Sequence, residues 1–205
     1  MPNRNNPHPH MQPAHEHMSK DDKLKKLYSL IDDICSYLYY GVHWHQRAAN
    51  YSRSLAIRGF GRLHEHMAKC DLETLQCLEK LCYDHLRFIP IVDMQMVTKG
   101  EMFKMDSMSA FKAHIDEWIK CETTYAEIIH EAIHYARKID IAIYQKLVKM
   151  ANHVEKEIMR ARMLQDRLNL GGWTGADIAF VSQNIHEHFE HGEVDHADPM
   201  DYNLG

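Results

Sequence analysis

A long run of regularly spaced positions in the N-terminal third constrains this chain most. Between residues 24 and 55 these positions alternate three and four apart over about four heptads. They are Leu24, Leu27, Ile31, Ile34, Leu38, Gly41, His45, Ala48, Ser52 and Leu55. Residues at this spacing share one face of a helix. The segment therefore predicts a long helix A that packs along the seam of a helical bundle.

Similar patterns predict three more long helices. Helix B is expected from about residue 61 to 86, helix C from about 107, and helix D from about 139 to 168. The stretch "IRGFGR" contains two glycines and predicts a turn between helices A and B. A connection of about 20 residues follows helix B, which is long enough to cross the length of a bundle. Thr174 is expected to cap a short fifth helix over 175–188.

Composition divides the chain into three parts. Residues 1–18 are polar and rich in Pro, Asn and His, and predict a flexible arm. Residues 19–170 carry the bundle, and residues 171–205 a short helix with an acidic, His-rich tail. The net charge of −5 offers no basic surplus for nucleic acid, so DNA is an improbable partner. No signal peptide or membrane-spanning run is evident, and we expect a cytoplasmic protein.

Two motifs carry a family resemblance. The stretch "LYSLIDDICSYLYYGVHWHQ" resembles the first helix of Dps-type mini-ferritins, which ends in a His-Trp pair, here His43 and Trp44. The stretch "GFGRLHEHM" is similar to the start of their second helix, with Leu63, His64 and Glu65. The shape of helices C and D resembles ferritins and bacterioferritins. The resemblance implies an all-α, ferritin-like four-helix bundle with a long B–C crossover connection and a short C-terminal helix.

The resemblance also implies a function. Such a protein would form a homo-oligomeric cage, of about 12 or 24 subunits, that binds, oxidises and stores non-haem iron. In the Dps-like version, His43 and His64, together with Glu79, would bind Fe²⁺ across a two-fold interface. O₂ or H₂O₂ would take the electrons, as in a ferroxidase. Haem is not indicated, because Leu75 stands about where a methionine ligand would be expected.

The chain departs from the family pattern at several metal positions. Ala68 replaces the carboxylate expected four residues after His64. Thr74 and Cys77 stand about where helix B should carry Glu-x-x-His, and Ile158 stands at the corresponding histidine of helix D. The iron site is therefore degenerate. These departures favour an alternative: a ferritin-like assembly without a working ferroxidase centre, acting as a scaffold or as a metal buffer through its His-rich tails.

Individual histidines admit two interpretations. His43 and His45 are two residues apart on a helix, so their side chains point roughly 200° apart. His45 would face the bundle interior and His43 a neighbouring subunit. His64 falls on the apolar side of helix B, near Asp71 and His85. Histidine–carboxylate sets suit iron, but a structural His64–Asp71 hydrogen bond would give the same sequence.

Glu122 is the one carboxylate within the helix C seam. A buried carboxylate is costly unless it is paired or metal-bound, so it needs a partner such as His45 or Glu155. The tails behave differently from the helices. In an extended chain "HPH" and "HEH" place both histidines on one side, where they could chelate other divalent metals.

Overall fold

The computed structural model describes residues 18–93 and 110–185, and these ranges contain five helices and no strand. The helices are α1 (Lys20–Ser54), α2 (Arg58–Leu86), α3 (Phe111–Ala136), α4 (Ile141–Gly171) and α5 (Gly175–Gln183). The predicted all-α bundle with a short C-terminal helix is confirmed. The terminal "HPH" and "HEH" motifs lie outside the described residues. Within the described ranges, no helix is both long and apolar enough to cross a membrane.

The helix ends follow the expected capping chemistry. The Ser19 hydroxyl accepts a hydrogen bond from the Asp22 backbone N–H at 3.1 Å, and two aspartates occupy the first turn of α1. Asp140 caps α4 in the same way. Thr174 and Asp177 form a reciprocal capping box at the start of α5. Gly172 ends α4 in the left-handed conformation at φ 87°.

The helices form two hairpins that pack face to face. The α1–α2 hairpin packs against the α3–α4 hairpin mainly through α1 and α3. His64 contacts His114, and further along both helices Asp71 interacts with Glu122, so α2 and α3 run in the same direction. The parallel direction of α2 and α3 fits the predicted long crossover connection, of which residues 94–109 lie outside the described residues.

The hydrophobic core is divided into two clusters stacked along the bundle axis. The first cluster contains α1 residues up to Leu38 and α2 residues from Leu75 onwards, together with Tyr125 and Val154. The second, which α5 completes, contains Trp44, Met67, Trp118 and Ala161. Between the two clusters there is thus one level of the bundle at which none of the four long helices contributes a large buried aliphatic residue. This level is where the polar side chains of interest lie.

The turn between α1 and α2 differs from its prediction. The chain turns at residues 55–57, with Ala56 at φ 61°, and α2 begins at Arg58 rather than near Gly61. Both glycines of "IRGFGR" are helical. Gly59 packs against α5: an added Cβ would lie 1.7 Å from the carbonyl oxygen of Ser182. This glycine is therefore required for close helix packing, not for a turn.

Gly59→Ala should lower the free energy of unfolding by about 1–3 kcal/mol, because the backbone of α5 must move to admit the methyl group. The shift would also weaken the hydrogen bond from the Gly59 N–H to Ser182 Oγ, now 2.9 Å. Urea unfolding measures the loss. Gly175→Ala is the matched control, since a Cβ there meets nothing within 4 Å. Equal stability of the two variants would contradict this account of Gly59.

Candidate metal centre

A polar layer separates the two hydrophobic clusters. His45 of α1 places Nε2 3.8 Å from Asp71 Oδ2 of α2 and 3.7 Å from Glu122 Oε1 of α3. The side chains of Asp71 and Glu122 are 22% and 13% exposed, so both are largely removed from water. Glu157 of α4 interacts with both carboxyl groups and bonds to His153 at 3.1 Å. All four long helices thus contribute to one layer.

The carboxyl groups of this layer resist ionisation. Burial raises the pKa of Asp71 well above its ordinary value, and the charges of Glu122 and Glu157 raise it further. Burial also raises the pKa of Glu122, with a smaller opposing effect from His45 and a contribution from Glu157. Protons or a cation must therefore offset the negative charge that these groups share.

Gly41 makes room for this arrangement on α1. A Cβ at this position would lie 2.5 Å from Asp71 Oδ2. Because the glycine has no side chain, the carboxyl group of Asp71 enters the space between α1 and α2 and faces His45. The glycine in the seam of helix A is therefore part of the site.

Three buried histidines extend the site away from the carboxyl groups. Nδ1 of His45 and Nδ1 of His64 are 3.0 Å apart, and Nε2 of His64 and Nε2 of His114 are also 3.0 Å apart. Burial lowers the pKa of His64 well below its ordinary value and lowers that of His114 to about 3. All three rings are enclosed by the bundle. His64 and His114 are therefore neutral imidazoles at physiological pH.

A small cavity of ≈ 30 Å³ adjoins the carboxyl groups. Its lining includes His45, Asp71, Glu122, Trp118 and Tyr125. The Trp118 indole N–H and the Tyr125 hydroxyl are buried without a hydrogen-bond partner in the described structure. A volume of this size holds a water molecule or an ion. The polar layer therefore has both space for a small occupant and polar groups that need one.

The donors are nearly, but not fully, convergent. In the described ranges, no group of three or more His, Cys, Asp or Glu side chains is arranged to hold a metal ion. Two ligands of one ion, each about 2.1 Å from it, lie about 3–4 Å apart. The distances of 3.7 and 3.8 Å from His45 Nε2 to the two carboxyl groups fall within that range. A complete site requires rotation of at least one carboxyl group.

Comparison with solved structures identifies the architecture. No protein-family model and no curated protein sequence matches the chain. An engineered closed form of Archaeoglobus fulgidus ferritin matches with a TM-score of 0.63 and 18% identity, over 82% of this chain and 96% of that one. The open-pore ferritin of the same archaeon matches with a TM-score of 0.62 and 17% identity, over 80% and 96%. This chain has the ferritin fold. At these identities the likeness concerns the fold alone.

His43 and His64, which the Dps-like interpretation expects to bind the same ion, lie in different environments. His43 is exposed on the outer face of α1, beside the ring of Tyr39. His64 is fully buried and contacts two other histidines inside the bundle. It therefore cannot present a ligand to a neighbouring subunit, which corrects the expected pairing of His43 and His64 across an interface. Glu79 is half-buried on α2, about two helical turns beyond Asp71.

Two other expectations require correction. Glu155 is 56% exposed and bonds to His130 at 2.8 Å, so it is not the partner of Glu122. Glu157, two residues later, takes that place. His64 does not pair with His85 either, because His85 bonds to Asp140 at 3.3 Å. His45 and Glu122 do lie together, as the sequence interpretation allowed.

The sequence interpretation omitted His114 and Glu157. His114 lies one turn before Trp118 and three residues after Phe111, so it shares the apolar seam of α3. A histidine in that position was a signal of the same kind as Glu122. Glu157 follows Val154 by three residues on α4 and could have been found in the same way.

Proposed function

We propose that this chain is an iron-handling protein of the ferritin type, which binds Fe²⁺ inside its bundle, oxidises it and stores it in a homo-oligomeric cage. The polar layer of His45, Asp71, Glu122 and Glu157 carries this proposal. Carboxylate and imidazole ligands together suit ferrous iron. Iron is the substrate here, and the site lies within one subunit rather than between two.

The raised pKa values of Asp71 and Glu122 imply that a cation binds to them in exchange for protons. A carboxyl group must lose its proton before it binds Fe²⁺. The charge of the divalent ion then neutralises the carboxylates, as protons do in the metal-free protein. His45 adds a nitrogen ligand at the same level. Each ferrous ion that is oxidised passes one electron to O₂ or peroxide, and the ferric product would nucleate on acidic inner surface of the cage.

Exposed apolar side chains on the last two helices support self-association. Leu170 is 90% exposed and Phe180 67% exposed, and Met159 and Met163 are also exposed on α4. Where such residues form a contiguous patch, they mark an interaction surface. Trp44, by contrast, is buried against His114 and does not contribute to an outward surface. Sedimentation velocity of the purified protein would count the subunits.

Glu157→Gln should slow iron oxidation at least tenfold relative to wild type, because the variant lacks a carboxylate of the polar layer. The assay adds Fe²⁺ to metal-free protein under air and follows ferric absorbance. Glu155→Gln is the matched control: it changes the same residue type on the same helix, two positions away, where the side chain is exposed. The control should oxidise iron at the wild-type rate.

Two results would contradict the proposal. A wild-type protein that oxidises iron no faster than buffer lacks the activity. Equal rates for Glu157→Gln, Glu155→Gln and wild type would instead place an observed activity elsewhere in the molecule.

A second function is favoured by one observation. The described ranges contain no converged group of three metal-binding side chains, and Thr74 and Cys77 occupy the helix B positions expected for Glu-x-x-His. A ferritin-like scaffold, or a metal buffer that uses its His-rich tails, needs no oxidation centre. Wild-type protein without ferroxidase activity that binds metal only when residues 1–17 and 186–205 are present would support this alternative.

A further inference from the structure

The three buried histidines form a continuous chain of contacts that begins at the carboxyl groups. His45 belongs to α1, His64 to α2 and His114 to α3. His64 uses both ring nitrogens, one toward each neighbour, and each contact is 3.0 Å long. At this distance, each contact is a hydrogen bond with one donor and one acceptor.

For three neutral rings, only two patterns of hydrogens are possible. A neutral imidazole carries one N–H and one lone pair, so a ring that donates through one nitrogen must accept through the other. In the first pattern, His45 Nδ1–H donates to His64, and His64 Nε2–H donates to Nε2 of His114. In the second pattern every bond is reversed, and Nε2 of His45 carries a hydrogen toward Asp71 and Glu122.

The surroundings of His114 favour the first pattern. Among the residues that the structure describes, its Nδ1 is buried without a hydrogen-bond partner. The ring lies among those of Trp44, Tyr51 and Phe111, with centroids 4.8, 5.8 and 5.7 Å away. The Trp44 ring is stacked on the imidazole at an interplanar angle of 5°, so only the tilted rings of Tyr51 and Phe111, at 55° and 37°, can present a face to an in-plane N–H. An aromatic face is a weak acceptor for an N–H group, whereas a lone pair gains nothing from it. A hydrogen on Nδ1 is therefore the better-accommodated state at this end.

The carboxyl end favours the same pattern. An N–H on Nε2 of His45 would bind a carboxylate at about 2.7–2.9 Å. The observed distances to Asp71 and Glu122 are 3.8 and 3.7 Å. This separation is that of ligands around a shared ion, as described above, and not that of a charge-assisted hydrogen bond.

We propose that His64 and His114 are positioning residues, which hold the hydrogen of His45 on Nδ1 and direct the lone pair of its Nε2 towards Asp71 and Glu122. This inference rests on the proposed function, because the lone pair serves to bind a cation. A metal-binding histidine commonly donates its second N–H to a partner that fixes the ring and raises its basicity. Here that partner is a second histidine, itself fixed by a third.

The closed end of the chain keeps this direction constant. His114 Nδ1 is enclosed and, within residues 18–93 and 110–185, has no hydrogen-bond partner to deliver or remove a hydrogen. Reversal would require a hydrogen to reach that nitrogen through the aromatic cluster. The direction is therefore set on folding and does not change when a cation arrives.

Nitrogen-15 NMR of the metal-free protein tests the direction without any activity. The imidazole nitrogens of a neutral ring differ strongly in chemical shift according to which one carries the hydrogen. We expect protonated Nδ1 in His45, protonated Nε2 in His64 and protonated Nδ1 in His114. The reversed set, with a hydrogen on Nε2 of His45, would overturn the proposal.

Cobalt binding tests the consequence for the site. His114→Gln retains an acceptor for His64 Nε2–H, whereas His114→Met has similar bulk and no such acceptor. We expect Co²⁺ affinity close to wild type for His114→Gln and at least tenfold weaker for His114→Met. Equal affinities in the two variants would contradict the positioning role.

The two proposals fail in different ways. Co²⁺ binding with the reversed NMR pattern overturns the positioning role and leaves iron binding standing. Co²⁺ binding with the expected pattern but without iron oxidation supports positioning and contradicts the oxidase activity. A wild-type protein that binds no Co²⁺ overturns both.

Discussion

Gly41→Ala should weaken Fe²⁺ or Co²⁺ binding at least tenfold although it alters no metal-binding side chain. The added Cβ would lie 2.5 Å from Asp71 Oδ2, so the carboxyl group must rotate away from the polar layer. The same substitution should leave α1 as stable or more stable, because alanine is favoured over glycine within a helix by about 0.5–1 kcal/mol. Metal affinity and stability therefore move independently in this variant.

Isothermal titration with Co²⁺ and urea unfolding measure the two quantities on the same sample. Gly175→Ala is again the matched control, because its added methyl group meets open space. It should bind Co²⁺ as wild type does. A Gly41→Ala protein that binds Co²⁺ with wild-type affinity would show that Asp71 does not belong to the metal site.

Lowering the pH should decrease the free energy of unfolding, because the buried histidines resist protonation in the folded protein. Burial lowers the pKa of His114 to about 3 in the folded protein. An unfolded chain restores a pKa of about 6.5. Between these values the unfolded state binds more protons, so the stabilisation is complete above pH ~6.5 and decreases as the pH falls towards 3. The slope for one such histidine reaches about 1.4 kcal/mol per pH unit.

Asp71 and Glu122 act in the opposite direction. Their pKa values are raised in the folded state, so the folded state binds the extra protons and their contribution to stability grows as the pH falls. Asp71 and Glu122 are present in both wild type and His114→Met, so their contribution cancels when the two proteins are compared. Between pH ~6 and ~4, unfolding free energies of the variant should depend less steeply on pH, by about 1 kcal/mol per unit. Parallel curves would show that His114 is not buried as a neutral ring.

Helical periodicity predicted most of the fold. The seam of α1 follows the spacing seen in the sequence, and the caps at Ser19 and Thr174 form as their side-chain chemistry requires. The glycines before Leu63 were misinterpreted, because a turn and a close helix contact both call for glycine. Only the packing of α5, which is distant in sequence, distinguishes the two.

The site was harder to predict, because it depends on the rotation of each helix about its own axis. Glu155 and Glu157 are two residues apart and point about 200° apart on α4, so a small error in helix rotation selects the wrong carboxylate. His64 was assigned to an interface from a short family motif, whereas α2 buries it at the contact with α1 and α3. The contact with His114 depends on how α3 is set against the first hairpin, which the pattern within either segment does not contain.

The polar layer also has a consequence for how the chain folds. Asp71 and Glu122 belong to different hairpins and are far apart in sequence, so each hairpin contains only part of the proposed ligand set. Contacts of such separation form late, after the local helical pairs. A cation added during refolding thus finds no complete site on either half and is captured only when the halves have docked. If the layer binds metal as proposed, mass action lowers the free energy of the docked state alone, so the metal would favour only those chains whose two hairpins have docked correctly.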